Sequence, residues 1–136
     1  MTAYQARARQ YQEVEFNTAD RGRILLAMYD GGLRFLALAE RGLEVGDYEV
    51  FGHNLGRAQA VVAELLHTLD HEAGGEIAAN LERLYRFLLE HLVEANVQKS
   101  ARHVADARRI FGIIGGAYRE ILANGLPAVM GDRSAA

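Results

Sequence analysis

Histidine and acidic side chains are the residues of this sequence that could bind a metal ion. Glu64 and His67 have the Glu-x-x-His spacing, which places two side chains on one face of a helix. In di-iron bundles two helices each supply such a pair, and two further helices each supply a glutamate. The sequence contains no second Glu-x-x-His, and the apolar row of the same helix leaves Glu64 and His67 flanking it or facing outward. We therefore expect a solvated pair and no metal site.

His53 is the side chain that could carry a phosphoryl group. The segment "HNLGRA" (53–58) resembles the His-x-Leu-Lys-Gly signature of histidine phosphotransfer domains, which are also four-helix bundles. Here the glycine and the basic residue stand in the opposite order, and His53 lies early in its helix. A phosphotransfer bundle that uses His53 is therefore the alternative function.

Other catalytic chemistry finds little support in the sequence. The absence of cysteine excludes disulfides and thiolate nucleophiles. The glycine pairs at 74–75 and 115–116 lack the flanking residues of a phosphate-binding loop or a dinucleotide fingerprint. Asp30 and Glu40 are isolated, so they do not form a catalytic carboxylate pair. We expect a protein that is not an enzyme, with no catalytic residue and no cofactor.

Composition and charge limit the partners and the compartment. The 136 residues are 50% hydrophobic and 24% charged, with a formal net charge of −3, as in a single globular domain. This balance, without a basic cluster, argues against nucleic acid as a partner. The longest uncharged runs are too short to span a bilayer, and no signal peptide is recognisable, so we expect a cytoplasmic protein without membrane insertion.

Four helical segments must position these residues, because no stretch long enough for a strand alternates between apolar and polar residues. We expect helix one to begin after Thr18, helix two at Asp47, helix three near residue 77, and helix four at Ser100. Helices of this length with short connections predict an all-α fold, an antiparallel up-down four-helix bundle. The predicted units are an N-terminal arm (1–17) with a short capping helix, the bundle (18–124) and a flexible tail (125–136).

Each later helix carries one row of apolar residues at steps of three and four, the pattern of a bundle-facing stripe. These rows are Phe51, Leu55, Ala58, Val62, Leu65 and Leu69; Ile77, Leu81, Leu84, Leu88, Leu92 and Ala95; and Val104, Ala107, Phe111, Ile114, Tyr118 and Ile121. Helix one differs, because it is apolar on more than one side. Either helix one is more central and its glycines allow close approach, or the surplus surface binds a partner or the arm.

Five stretches together resemble one family, the flagellin export chaperones known as FliS. They are "YQEVEFNTA" (11–19), "AMYDGGLRFL" (27–36), "RAQAVVAELLHTLD" (57–70), "GGEIAANLERLYRFL" (74–88) and "HLVEANV" (91–97), in the family's order and spacing. The resemblance covers nearly all of residues 11–122. Two departures are Arg21, where the family usually has proline, and Tyr118, where a tryptophan is common.

The resemblance implies a function without nucleotide, metal or covalent chemistry. Such chaperones hold the disordered C-terminal segment of newly made flagellin in apolar grooves of a helical bundle. They prevent premature polymerisation and assist delivery to the flagellar type III export apparatus, whose export gate is a second expected partner. The expected resting state is a monomer or a weak homodimer.

The resemblance and the surplus apolar surface together select eleven candidate partner-binding residues. They are Tyr11 and Phe16 from the arm; Ile24, Tyr29 and Leu33 from helix one; Gln59 and Leu66 from helix two; and Leu84, Tyr85, Leu92 and Asn96 from helix three. The apolar residues would supply contact area, and Tyr29, Gln59, Tyr85 and Asn96 would hydrogen-bond an extended backbone. Each could instead belong to the core or to the solvated surface.

The arm suggests a cover for the groove. Tyr4, Ala8, Tyr11 and Val14 recur at helical spacing in a segment too short to be a stable helix alone. We expect Tyr11 and Phe16 to pack on the groove of the unbound protein and to be displaced by the partner. In the alternative, Tyr11 contacts the partner or the export gate directly.

Overall fold

The computed structural model of the chain describes residues 2–124, and for residues 7–19 it describes the helix backbone without the side chains. Within this part of the chain four helices follow one another: α1 (Ala3–Glu44), α2 (Tyr48–His67), α3 (His71–Gln98) and α4 (Ala101–Asn124). No residue between 2 and 124 lies in a strand, and the predicted all-α fold is confirmed. The predicted tail (125–136) lies outside the described residues.

Helix α1 begins at Ala3, so the predicted start after Thr18 is wrong. Thr2 caps the helix: its Oγ1 accepts the Gln5 backbone N–H at 3.1 Å, and Gln5 Oε1 accepts the Thr2 N–H at 3.0 Å. A short segment is unstable as a separate helix because nucleation is costly, but extending a formed helix costs far less. The division of the chain at residue 17 into arm and bundle stays a prediction.

Each of the other three helices begins at a residue whose side chain caps it. Asp47 Oδ1 accepts the Val50 N–H at 3.1 Å, and Ser100 Oγ accepts the His103 N–H at 3.2 Å, so both predicted caps are confirmed. Asp70 caps α3, which begins at His71. Gly75 interrupts this helix with the non-helical angles φ 50° and ψ −122°, which glycine reaches without strain, and the stretch after it begins close to the predicted residue 77.

The helices pack in a ring in which the backbone of each lies close to two others, and side chains of α1 and α3 meet across the core. Helix α1 contacts α2 and α4, and α3 contacts the same two helices. Near its end, α1 meets the start of α2, where a Cβ on Gly42 would lie 2.7 Å from the Phe51 backbone nitrogen. Helix α1 packs antiparallel to α4, because Asp30 pairs with Arg119 and Glu40 pairs with Arg108. The α1/α4 and α2/α3 contacts therefore lie on opposite sides of the bundle.

All four helices contribute to one apolar core. Most of the apolar rows expected on α2 and α4 are buried. The buried members are Phe51, Leu55, Ala58, Val62 and Leu65 on α2, and Val104, Ala107 and Phe111 on α4. On α3 the expected row is partly wrong, because Ile77 and Leu84 are 46% and 39% exposed. The buried row there is Ala78, Tyr85, Leu88, Leu92 and Ala95. A shift of one position turns the buried face by about 100°.

The two adjacent glycines of α1 have different surroundings. A Cβ on Gly32 would lie 2.6 Å from Cε2 of Phe111, so this glycine makes room for a buried aromatic ring. Gly115 of α4 does the same for Tyr29, whose Cβ would lie 3.2 Å from the added Cβ. A Cβ on Gly31 would meet no described atom within 4 Å. Close approach of α1 and α4 therefore explains Gly32 but not Gly31.

Candidate partner-binding grooves

An open groove follows the outer side of the α1/α4 contact. This α1/α4 groove has a volume of about 500 Å³ and is lined by Leu33, Ala105, Arg108, Arg109, Gly112 and Ile113. Because α4 buries Val104, Ala107 and Phe111, helical geometry turns Arg109 and Ile113 outward. Ile113 is 63% exposed, a large share for a β-branched apolar side chain. The groove thus combines an apolar surface with two guanidinium groups.

A second groove lies on the opposite side of the bundle. This α2/α3 groove has a volume of about 400 Å³ and is lined by Ala63, Leu66, His67, Leu69, His71, Glu82 and Arg86. Its α2 wall is largely apolar, whereas its α3 wall is polar. Glu82 lies 3.1 Å from Nε2 of His71 and 3.6 Å from Nε of Arg86. The acidic side chain of this groove therefore already has intramolecular partners.

Further apolar side chains are exposed beside the grooves. Ile77, Leu84 and Phe87 form an exposed row on α3. On α1, Ile24 is 59% exposed and Leu38 is also exposed, so part of the surplus apolar surface of this helix faces solvent. Several exposed positions on different helices give an extended partner more contact area than either groove alone.

Besides Ile24, five of the predicted contact residues lie at the surface or partly so. Leu33 lines the α1/α4 groove, Leu66 lines the α2/α3 groove, and Leu84 belongs to the exposed α3 row. Gln59 is half-buried on α2. Asn96 is exposed, and its backbone oxygen accepts a hydrogen bond from Lys99 Nζ at 3.0 Å. These positions are distributed around the bundle and do not form one compact site.

Tyr29, Tyr85 and Leu92, also predicted to contact the partner, lie in the core. The hydroxyls of Tyr29 and Tyr85 hydrogen-bond each other, so neither is directed at a partner backbone in this conformation. The ring of Tyr29 packs against Phe111, with centroids 4.9 Å apart. Burial is the first cause that raises the pKa of both tyrosines above the ordinary value of 10.0. The two tyrosines therefore belong to the core and link α1 to α3.

The side chains of Tyr11 and Phe16 lie outside the described residues. Ile24, the remaining predicted contact residue, is exposed on α1. Pattern analysis did not select Ile113, Arg109 or Phe87. Ile113 could have been selected, because it widens the apolar stripe of helix four beyond the width that a bundle needs.

The histidines of the possible metal and phosphoryl sites are at the surface. Glu64, His67 and His53 are all exposed on α2. Among the described side chains, no group of three or more His, Cys, Asp and Glu residues could hold a metal ion. His91 has a different role, since its ring stacks on Phe87 and contacts the ring of His103, with centroids 5.1 and 4.4 Å away. This stack packs α3 against α4.

Within residues 2–124, no helix combines the length and the hydropathy needed to cross a membrane.

Fold and surface together define a bundle of helices with two open grooves. A family model described as "Flagellar protein FliS" matches residues 3–125, nearly the whole described chain. The chain belongs to the FliS family of flagellar secretion chaperones, and the resemblance seen in the sequence is confirmed.

Three relatives illustrate the match. The flagellar secretion chaperone FliS of Bacillus subtilis is 33% identical over 96 residues, which cover 71% of this chain and 71% of the relative. FliSB of Pseudomonas aeruginosa is 37% identical over 92 residues, covering 65% and 73% of the two chains. FliS of Salmonella typhimurium is 31% identical over 100 residues, covering 73% and 74%. All three are named as chaperones, and none of these names supports phosphotransfer by His53.

Proposed function

We propose that the protein is a cytoplasmic export chaperone that binds the disordered C-terminal segment of flagellin. In this proposal it prevents premature polymerisation of flagellin and assists delivery to the gate of the flagellar type III export apparatus. The observation that carries the proposal is the pair of open grooves on opposite sides of one bundle. Membership of the FliS family supports the same function.

The placement of the grooves favours an extended partner over a compact one. A folded domain would contact one side of the bundle, whereas a partner that fills both grooves has to pass around it. With helices about 10 Å wide, the path around half of the bundle is roughly 40 Å, which about a dozen extended residues span. A disordered segment can wrap a large surface in this way, since it folds only on binding.

The exposed apolar side chains would supply most of the binding free energy. Ile113 and Leu33 would be covered in the α1/α4 groove, and Leu66 in the α2/α3 groove. Complete burial of one such side chain contributes about 1.5–3 kcal/mol. Asn96 and Gln59 would hydrogen-bond the partner backbone.

Calorimetric titration with a C-terminal flagellin fragment tests the proposal. We expect binding near one to one, with a negative heat-capacity change because apolar surface is buried. Ile113→Asp and Leu66→Asp should each weaken binding about tenfold or more, since a carboxylate in an apolar contact is costly. The control is Val97→Asp, because Val97 is 73% exposed and lines neither groove.

The control variant should bind within about twofold of the parent protein, a difference of roughly 0.4 kcal/mol. Circular dichroism should show equal helicity for all three variants. Absence of binding to the parent protein would contradict the proposed function, and equal losses for Val97→Asp and the groove variants would contradict the role of the grooves.

We also propose that Tyr11 and Phe16 cover part of a groove until the partner displaces them. Because α1 is continuous from Ala3, the backbone of the two residues continues into the same helix that packs in the bundle. If the groove is open about a tenth of the time, apparent affinity falls about tenfold, or roughly 1.4 kcal/mol. Tyr11→Ala should then tighten binding, and Tyr4→Ala, at a position 82% exposed, is the matched control. Weaker binding by Tyr11→Ala would instead indicate a direct contact.

A further inference from the structure

The formal net charge of −3 conceals a strong asymmetry between the two sides of the bundle. Residues 47–98, which form α2 and α3, contain nine acidic and three basic side chains. Residues 99–124, which contain α4, carry five basic and two acidic side chains. Helix α1 (Ala3–Glu44) contains six basic and six acidic side chains, so the α1/α4 side is net positive and the α2/α3 side net negative. Such charge acts on charged partners before contact.

The ion pairs across the α1/α4 contact leave positive charge in its groove. Arg119 Nη2 donates to both Asp30 oxygens at 2.7 and 2.8 Å, and Arg108 Nε lies 3.0 Å from Glu40 Oε1. In both pairs the acid comes from α1 and the base from α4. Arg109 lines the groove, and no carboxylate of the described side chains forms an ion pair with it.

One more arginine extends this positive surface along α4. Arg102 lies seven residues before Arg109, two helical turns along the same face of α4. It forms no ion pair with a described carboxylate. The apolar contacts Leu33 and Ile113 are thus flanked by guanidinium groups that can bind carboxylates.

We propose that the α1/α4 groove binds a protein segment in which apolar residues are flanked by aspartate or glutamate. Arg109 pairs with a carboxylate of that segment, while Leu33 and Ile113 contact its apolar side chains. The net negative charge of residues 47–98 disfavours the same segment on the α2/α3 side, so charge favours one placement of a wrapped partner over the reverse. This inference rests on the proposed function, because it specifies the part of the flagellin segment that lies on α4.

The test is a titration of the full chain with the C-terminal flagellin fragment at about 50 and 500 mM salt, a range over which exposed charges become screened. The variants are Arg109→Glu and Arg109→Gln. The control is Arg83→Glu, at an exposed arginine of α3 outside both grooves. At low salt we expect about tenfold weaker binding for Arg109→Glu and about threefold for Arg109→Gln, the scale of one exposed ion pair. High salt should reduce both differences, and Arg83→Glu should bind as the parent protein does.

A charge exchange then identifies the paired residue. Each acidic residue of the fragment is changed in turn to lysine, and one change should restore binding to Arg109→Glu while weakening binding to the parent protein. Equal effects of Arg109→Glu and Arg83→Glu, or no rescue by any exchange, would overturn the inference alone. A fragment that does not bind the parent protein at all would overturn the proposed function and this inference with it.

Discussion

The α1/α4 and α2/α3 contacts lie on opposite sides of the bundle and are built differently. Between α1 and α4, Gly32 and Gly115 make room for the rings of Phe111 and Tyr29, and two ion pairs cross the contact. On α2, Gly52 and Gly56 have no described atom within 4 Å of an added Cβ, so they provide no such room. Glycines therefore bring α1 and α4 close together on the inside, while the groove outside them keeps its apolar and basic side chains exposed.

This difference explains the surplus apolar surface of α1. One side of the helix, through Leu36 and Ala39, belongs to the core. A second side, through Leu33, lines the α1/α4 groove, and Ile24 is exposed beyond it. The more central position of α1 therefore accounts for one row of residues, while a second row lies at the surface, where partner binding stays a prediction.

The largest expected effect tests the close contact of α1 and α4. Gly32→Ala places a methyl group against the buried ring of Phe111, and overpacking of a core costs about 1–3 kcal/mol. Alanine recovers up to about 1 kcal/mol through its higher helix propensity, so we expect a net loss of about 1–2 kcal/mol. Urea unfolding followed by circular dichroism measures the free energy of unfolding.

Gly31→Ala and Gly56→Ala are the matched controls, because neither added methyl meets a described atom. Both should stabilise the protein by about 0.5–1 kcal/mol. In a Phe111→Leu background the penalty of Gly32→Ala should shrink, as expected for residues in contact. A stabilising Gly32→Ala would show that the close helix contact does not need glycine at this position.

The next effect concerns the tyrosine pair that links α1 and α3 through the core. Tyr29→Phe or Tyr85→Phe leaves the other hydroxyl buried without its partner, which we expect to cost about 1 kcal/mol, the lower end of the range for a buried unpaired polar group. The double variant Tyr29→Phe/Tyr85→Phe should cost less than the sum of the two single variants. Additive losses in urea unfolding would mean that the hydroxyl pair contributes no coupling free energy.

The smallest expected effect is a pH dependence of the same pair. Burial raises the pKa of both tyrosines in the folded protein, so above the ordinary value of 10.0 the unfolded chain loses its protons first. The stabilisation is therefore complete below about pH 10 and is lost as the pH rises further. Unfolding free energies measured between about pH 8 and 11 should fall more steeply for the parent protein than for the double variant. Equal slopes would contradict the assignment.

The sequence by itself determined the features that depend on neighbouring residues. The caps at Asp47 and Ser100 are local hydrogen bonds, and the buried row of α2 follows from apolar steps of three and four. The ordered motifs were enough to identify the family. The start of α1 was misplaced at Thr18, because Thr18 is only one of several residues that could cap a helix. The helix is capped earlier, at Thr2, and continues through Thr18 without a break.

Only the tertiary structure decided which apolar row faces the core and which faces a groove. Apolar periodicity locates a buried face to within about one position, and on α3 that position separates exposed Leu84 from buried Tyr85. The hydroxyl partner of Tyr29 lies 56 residues away in sequence, so no local pattern could place this polar group in the core. Likewise, Gly31 and Gly32 are the same residue type in one helix, and they differ in that Phe111 and Val61 lie against Gly32 alone. These properties depend on which helix covers which side, and that is decided by packing between distant segments.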